Sequence, residues 1–552
     1  MDENASLYQP TSNKWWKMPF SVFFNDARRV FKLDALGREI IGIALPSALA
    51  VAADPIASLI DTTFIGHLGP VELAAAGVSI AVFNQASRIT VFPLVSITTS
   101  FVAEEDTIQK MIAKAAAEND KADLLQDIEN GTSKQNNIKA LKDEVPHEDV
   151  EKSATTEKND TNAGDDGHGN NTNTCKSSSV KSSDKSNEKV GNKKRHIASA
   201  STALIFGSIL GLIQTAILMF GAKPLLTAMG LKHDSPMLGP AQKYLRLRAY
   251  GSPAVLLSLA MQGIFRGFKD TTTPLYIIVS GYALNVVLDP ILIFKLKLGL
   301  EGAAMSHVFS QYVMAFTLFF ILTKKVYLVP PSIKDLQIFR FLKNGGLLMT
   351  RVIAVTFCMT FAASLAARLG PIPMAAFQPC LQVWLTSSLL ADGLAVAVQA
   401  ILACSFTEKD YKKVTAAATR TLQMGFVLGV GLSVAVGIGF YFGAGVFSKN
   451  ADVVNLIRIG MPFVAATQPI NSLAFVFDGV NYGASDFAYA AYSLVSVSVV
   501  SIAIEFVLYR SKQFVGLWIA LSIYMVLRMV VGIWRMGTGT GPWRYLRGHS
   551  ML

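Results

Sequence analysis

The chain has 552 residues, 51% of them hydrophobic and only 16% charged, with a formal charge of +11. A soluble domain carries about 25% charge, and the mean hydropathy here is +0.39, so a string of soluble domains is excluded. The basic residues sit in short clusters between apolar runs, as membrane orientation requires, and no nucleic-acid partner is expected.

Long apolar runs recur from Ile40 to Trp534. Each is near the roughly 20 residues that cross about 30 Å of hydrocarbon. Only helices or closed barrels satisfy every backbone group in lipid. Barrel strands would be shorter and alternating, so the fold class is all-α integral membrane. Ahead of the first run, residues 1–38 form a cytosolic segment. Within it, Phe20, Phe23, Phe24, Val30 and Phe31 alternate with Arg28, Arg29 and Lys32. That pattern predicts an amphipathic helix on the inner membrane surface. The N-terminus is polar, so the first span is expected to serve as the targeting signal.

Spans are predicted at 40–62, 73–101, 201–221, 245–265, 274–294, 302–322, 347–369, 373–403, 421–445, 459–478, 487–508 and 514–535, about twelve in all. They group as an N-terminal six-helix bundle (39–103 and 198–323), an inter-bundle linker (324–346), a C-terminal six-helix bundle (347–536) and a cytosolic tail (537–552). Residues 104–197 differ: rich in Lys, Asp, Glu, Asn and Ser, and nearly free of aromatics. Such a stretch buries too little apolar surface to offset ordering, and predicts a disordered cytosolic loop. Its start, Asp106 to Ile128, has helical spacing and can extend the second span. The sequons at Asn130, Asn159 and Asn170 would then be cytosolic and inert. Basic residues in short loops put both termini in the cytosol.

The two halves look alike. Leu68-Gly-Pro matches Leu369-Gly-Pro, Phe220-Gly-Ala matches Phe442-Gly-Ala, and Ile264 to Gly267 lines up with Val476 to Gly479, in the same order. Six spans per half make these parallel repeats, a transporter design with the site between halves.

Neither a P-loop nor a metalloprotease motif occurs, and no cofactor, metal or enzymatic activity is expected. The four cysteines, Cys175, Cys358, Cys380 and Cys404, show no CxxC pairing. Gly425, Gly429, Gly431, Gly437 and Gly439 lie inside one apolar run and predict close helix packing. The informative residues are ionisable groups inside spans, which face a cavity or a partner. They are Asp54, Asp61, Arg88, Asp289 and His307 in the first half, and Arg351, Asp392, Asp478, Glu505 and Arg528 in the second. Those near span ends, including Arg266, Asp478 and Arg351, can instead snorkel. Asn285 and Asp289 stand four apart on one helix face. With Asp61 nearby they would line an oxygen-rich pocket for a proton or a small hard cation.

Leu59-Ile-Asp-Thr-Thr-Phe-Ile-Gly, the Leu-Gly-Pro-x-Glu-Leu-Ala-Ala run at 68–75, Phe265-Arg-Gly-Phe-Lys-Asp-Thr-x-Thr-Pro and Asn285-Val-Val-Leu-Asp-Pro resemble the MATE family (multidrug and toxic compound extrusion). Residues 84–105 and the long polar loop resemble its plant citrate-exporting branch, associated with aluminium tolerance and metal homeostasis. The resemblance implies two six-helix bundles alternating between inward- and outward-open states. It implies an N-half cation site of Asp61, Asn285 and Asp289. His307 falls where prokaryotic relatives have a hydroxyl, which favours protons over sodium. Asp478 matches an acidic tenth-span position of other plant members, while their seventh-span Glu is missing and Arg351 lies in that span. The leading expectation is proton-coupled efflux of citrate or a related carboxylate at the plasma membrane. Arg88 and Arg351 would bind substrate, with Gln85 beside Arg88, because a guanidinium grips carboxylates bidentately. Asp61, Asn285, Asp289, His307 and Asp478 would serve coupling. The alternatives are an organic cation or drug–proton antiporter, and a flippase or non-transporting receptor.

Overall fold

A computed structural model describes residue 32 and residues 34–140, 195–229, 234–327, 338–447 and 451–547. The expected amphipathic segment before Leu36 and most of the polar loop lie outside these.

The N-terminal half comprises α1 (Ala35–Gly66), α2 (Pro70–Ala140), α3 (Ala198–Phe220), the short α4 (Ala222–Ala228), α5 (Leu238–Ala249), α6 (Ser252–Gly267), α7 (Thr272–Pro290) and α8 (Gly299–Lys325). The C-terminal half comprises α9 (Ile338–Arg368), α10 (Pro371–Thr407), α11 (Tyr411–Phe447), α12 (Ala451–Ala466), α13 (Gln468–Gly483) and α14 (Phe487–Gly537). Among the described residues nine helices are long and apolar enough to cross a membrane, and the bent pair α12–α13 makes a tenth. Two further spans follow from packing. Helix α14 breaks at Gln513, whose φ is 49°. Its two arms run back along each other, since Tyr489 Oη donates to the Val531 carbonyl at 2.8 Å and Arg535 pairs with Asp486 at 2.7 Å. The pair α5–α6, helices of 12 and 16 residues that meet at Tyr250–Gly251, is the remaining span, with Lys243, Arg246 and Arg248 in its first arm. The all-α fold with twelve spans therefore holds.

The second helix runs past residue 104, as the helical spacing from Asp106 to Ile128 allows, and reaches Ala140, beyond the end of that spacing. Its extension is rich in Ala, Lys and Glu, which favour helix without tertiary support. The fourth span of each half is not one helix but two. Helix α6 begins Ser252-Pro253 and α13 begins Gln468-Pro469, with proline in the first turn of each. Proline lacks the N–H that a continuous helix would need there, so each span breaks just before it.

These breaks explain the glycines. A Cβ on Gly211 of α3 would stand 2.6 Å from Pro253 Cα, and Gly429 of α11 meets Pro469 in the same way. Gly425 packs against Val476. Gly431 and Gly439 face open space, so close packing accounts for only part of the glycine run. The paired glycine–proline contacts recur at the same place in each bundle, as parallel repeats require.

Gly429→Val should therefore destabilise the protein by about 1–3 kcal/mol through overpacking, and Gly211→Val likewise. Gly431→Val should be near neutral. Thermal unfolding of the three purified variants checks this.

Candidate functional site: two charged clusters in paired bundles

In the N-terminal bundle, α7 presents Asn285 and Asp289 one turn apart. Pro290 follows directly and leads into a π-helical segment, Ile291–Lys295, a distortion frequent at functional sites. Asn285 Nδ2 donates to Asp61 Oδ1 of α1 at 2.7 Å and approaches Asp289 Oδ2 at 3.4 Å. The Asp61 and Asp289 carboxyls thus face one shared amide donor, Asn285 Nδ2. From α8, Ser306 donates to Asp289, and Ser310 Oγ lies 3.4 Å from Asn285 Oδ1. His307 is buried with Nδ1 3.8 Å from Asp61 Oδ2, and its Nε2 is 3.5 Å from Gln311. A cavity of about 270 Å³ adjoins this cluster, lined by Asp54, Ser58, Asp61, Asn84, Tyr282 and His307 among others. The structure thus brings Asp61, Asn285, Asp289 and His307 together. Carboxylate, amide and hydroxyl oxygens of this kind suit a proton or a hard cation.

The C-terminal bundle has the opposite charge balance. Asp478 of α13 is gripped by two guanidiniums. Arg351 of α9 reaches it at 2.5 Å, and Arg528 of α14 also binds the same carboxylate oxygen. Arg351 stacks on Tyr482 at 5.1 Å and Arg528 on Phe475 at 4.6 Å. The Nε of each arginine is buried without a hydrogen-bond partner. A cavity of about 290 Å³ borders Asp478, Asn481 and Arg528. Deeper in this bundle Glu505 is fully buried and accepts from Cys358 Sγ at 3.2 Å.

Arg88 and Gln85 join neither cluster. With Asn84 they form an exposed polar stripe on α2, and Gln378, Gln382 and Thr386 form another on α10. Polar residues on the open face of a span need water, so these stripes mark a crevice rather than a lipid-facing surface.

Among the described residues the bundles meet at the other end. Gln399 Nε2 donates to the Ser96 carbonyl at 2.7 Å, and Ser100 Oγ to the Tyr482 carbonyl at 2.9 Å. Gly393 of α10 abuts α1, where a Cβ would lie 2.6 Å from the Ala44 carbonyl. Phe101 packs edge-on to Phe341 and Phe487. Ion pairs cross the seam between Glu104 and Arg340 (2.5 Å), Glu39 and Lys413 (3.3 Å), and Asp34 and Arg420 (2.6 Å). Asp34 caps α1 by accepting from Gly37 N. That backbone bond, with Arg420 adding to it, holds the Asp34 carboxyl below the usual range.

A family model described as MatE matches residues 190–291 and 348–507. Protein DETOXIFICATION 43 of Arabidopsis thaliana is 61% identical over 550 residues, covering 100% of this chain and 98% of that protein. The chain belongs to the MATE family. Protein DETOXIFICATION 42 of the same plant is 56% identical, covering 96% of this chain and 97% of its own length. The solved outward-facing conformation of a multidrug resistance MATE family transporter superposes with a TM-score of 0.68 at 16% identity, covering 98% of this chain and 100% of that one. The last likeness speaks to fold alone. A MATE chain is a multi-pass membrane efflux transporter, not an enzyme.

Sequence reasoning missed several members of these MATE clusters. Ser306 and Ser310 are revealed by their i, i+4 spacing on α8 beside His307. Arg248 falls in the first turn of the fourth predicted span, where an arginine ordinarily snorkels. Arg528 is an intramembrane charge by sequence, but nothing local joins it to Asp478, 50 residues away.

Two outcomes follow for the closed end. Cys404, buried against the Ala103 carbonyl, should react slowly with a membrane-permeant maleimide, and Gly393→Leu should speed labelling by prising α1 from α10. Asp34 has its folded pKa below its unfolded value of about 3.9. Its contribution is therefore present above that value and lost as pH falls through the folded one. Asp34→Asn should lower thermal stability at pH 7, and the gap from wild type should narrow as pH falls below about 3.9.

Proposed function

We propose that this transporter exports citrate or a related carboxylate from the cytosol by alternating access, with protons cycling through the N-terminal cluster. The observation that carries this reading is the pair Arg351 and Arg528 sharing the single carboxylate of Asp478. Two guanidiniums against one carboxylate leave a positive excess in a buried place, which an anion would complete. Arg88 and Gln85 add a second guanidinium site on the crevice-facing stripe of α2. Exit of an anion from an inside-negative cell is itself favourable, by about 2.3 kcal/mol per charge at 100 mV. Protons on Asp61 and Asp289 would then reset the carrier rather than drive it. On this reading the closed end is cytosolic, as the short-loop basic residues suggest, and the open crevice faces outward at the plasma membrane.

A second reading, an organic cation or drug–proton antiporter, is favoured by Asp54, Asp61 and Asp289 in the N-terminal bundle. It also agrees with the multidrug description of the solved relative. It would make Arg88 and the arginines on Asp478 purely structural.

Efflux of radiolabelled citrate and malate from injected oocytes separates the two. Arg88→Ala and Arg351→Ala should each reduce citrate efflux at least tenfold at unchanged surface expression. Arg88→Lys should rescue poorly, since an ammonium keeps the charge but loses the planar fork. Asp289→Asn should flatten the pH dependence of efflux. Normal citrate flux through well-expressed Arg88→Ala and Arg351→Ala proteins would support the cation reading.

A further inference from the structure

The N-terminal cavity contains a charge that an ordinary cation site would not. Arg248, in the last turn of α5, is more than nine-tenths buried and lines the same cavity as Asp54, Asp61 and His307. Its Nη1 donates to Tyr244 Oη at 3.0 Å, one turn back on α5, and its guanidinium lies over the Phe83 ring at 5.2 Å. Its Nε has no partner. None of these contacts is with an acid, and among the described residues no carboxylate stands within ion-pair distance of it. A guanidinium does not give up its proton in a protein, so its charge must be balanced by carboxylates across the cavity. Asp54 and Asp61 from α1 line it, and Asp289 from α7 stands behind them on the same Asn285 amide. The other polar groups lining the space, Ser58, Asn84, Tyr282 and His307, bring no fixed charge.

The ligands for a small hard cation are all there: Asp61, Asn285, Asp289, Ser306 and Ser310 supply oxygens from three helices. What differs is the charge count. Three carboxylates without Arg248 would leave room for a metal cation and a proton together. With Arg248 fixed among them, one positive charge is already in place and cannot leave.

We propose that Arg248 is the specificity-determining residue of this ion site, a tethered cation that takes the electrostatic place of sodium and leaves the Asp61–Asp289 pair to protons. The inference rests on reading Asp61, Asn285 and Asp289 as the ion site, but not on the identity of the exported substrate. Arg248 acts through the field in the cavity and touches neither carboxylate. Lysine at this position keeps the charge and should preserve the exclusion, whereas a neutral side chain should abolish it.

The test is equilibrium binding of ²²Na⁺ to the purified full-length protein in detergent, without citrate. Wild type and Arg248→Lys should show no saturable binding. Arg248→Gln should gain one saturable site per chain, and that site should vanish in the Arg248→Gln, Asp289→Asn double variant. Saturable binding to wild type that is lost in Asp289→Asn would overturn the proposal even if Arg248→Gln failed to fold. So would a well-folded Arg248→Gln protein that binds no sodium, or one whose sodium site survives loss of Asp289. Citrate efflux plays no part in the readout, so a failed transport assay would count against the substrate and not against Arg248.

Discussion

A charge held inside a membrane-embedded bundle must meet an opposite charge, a cavity or a ligand, and the arrangement of this protein depends on how each bundle meets that requirement. The N-terminal bundle gathers acids: Asp61 and Asp289 bridged by Asn285, with Asp54 hydrogen-bonded to Tyr282. The C-terminal bundle gathers bases: Arg351 and Arg528 converge on Asp478. Repeats with the same helix order and the same glycine–proline contacts have thus come to hold opposite charge. Under the proposed function, the acidic half would serve protons and the basic half an anion.

The seam between the bundles uses different chemistry. Its interior is apolar, with Phe101, Phe341 and Phe487 packed together. Its outer ring is ionic, and pairs such as Arg340–Glu104 are partly solvated. Exposed pairs of this kind contribute little net stability, so they can separate when the bundles rock apart. The contact between Ser100 and the Tyr482 backbone matters more for coupling. Tyr482 is also the ring under Arg351, so the charged cluster of the C-terminal bundle stands directly against the seam.

Much of this was legible in the sequence, for identifiable reasons. Apolar length gives the spans, and a four-residue interval places Asn285 and Asp289 on one face. What stayed hidden depended on distance along the chain or on a broken period. Arg528 and Asp478 meet only because α14 folds back at Gln513. The fourth span of each half reads as one apolar run, although Pro253 and Pro469 split it. Arg248 lies at the start of such a span, where an arginine ordinarily snorkels to the surface. Here the helix break at Tyr250–Gly251 turns it inward instead. The extension of α2 was legible as far as Ile128 from its helical spacing, and its further reach to Ala140 runs through Gly131 and Asn136-Asn137, which carry no such signal.

Counterflow in proteoliposomes tests most directly whether the opposite charge of the two bundles serves an anion. Vesicles loaded with unlabelled citrate should accumulate labelled citrate from outside, and an excess of an organic cation should leave that uptake unchanged. Counterflow of the organic cation with none of citrate would contradict that reading.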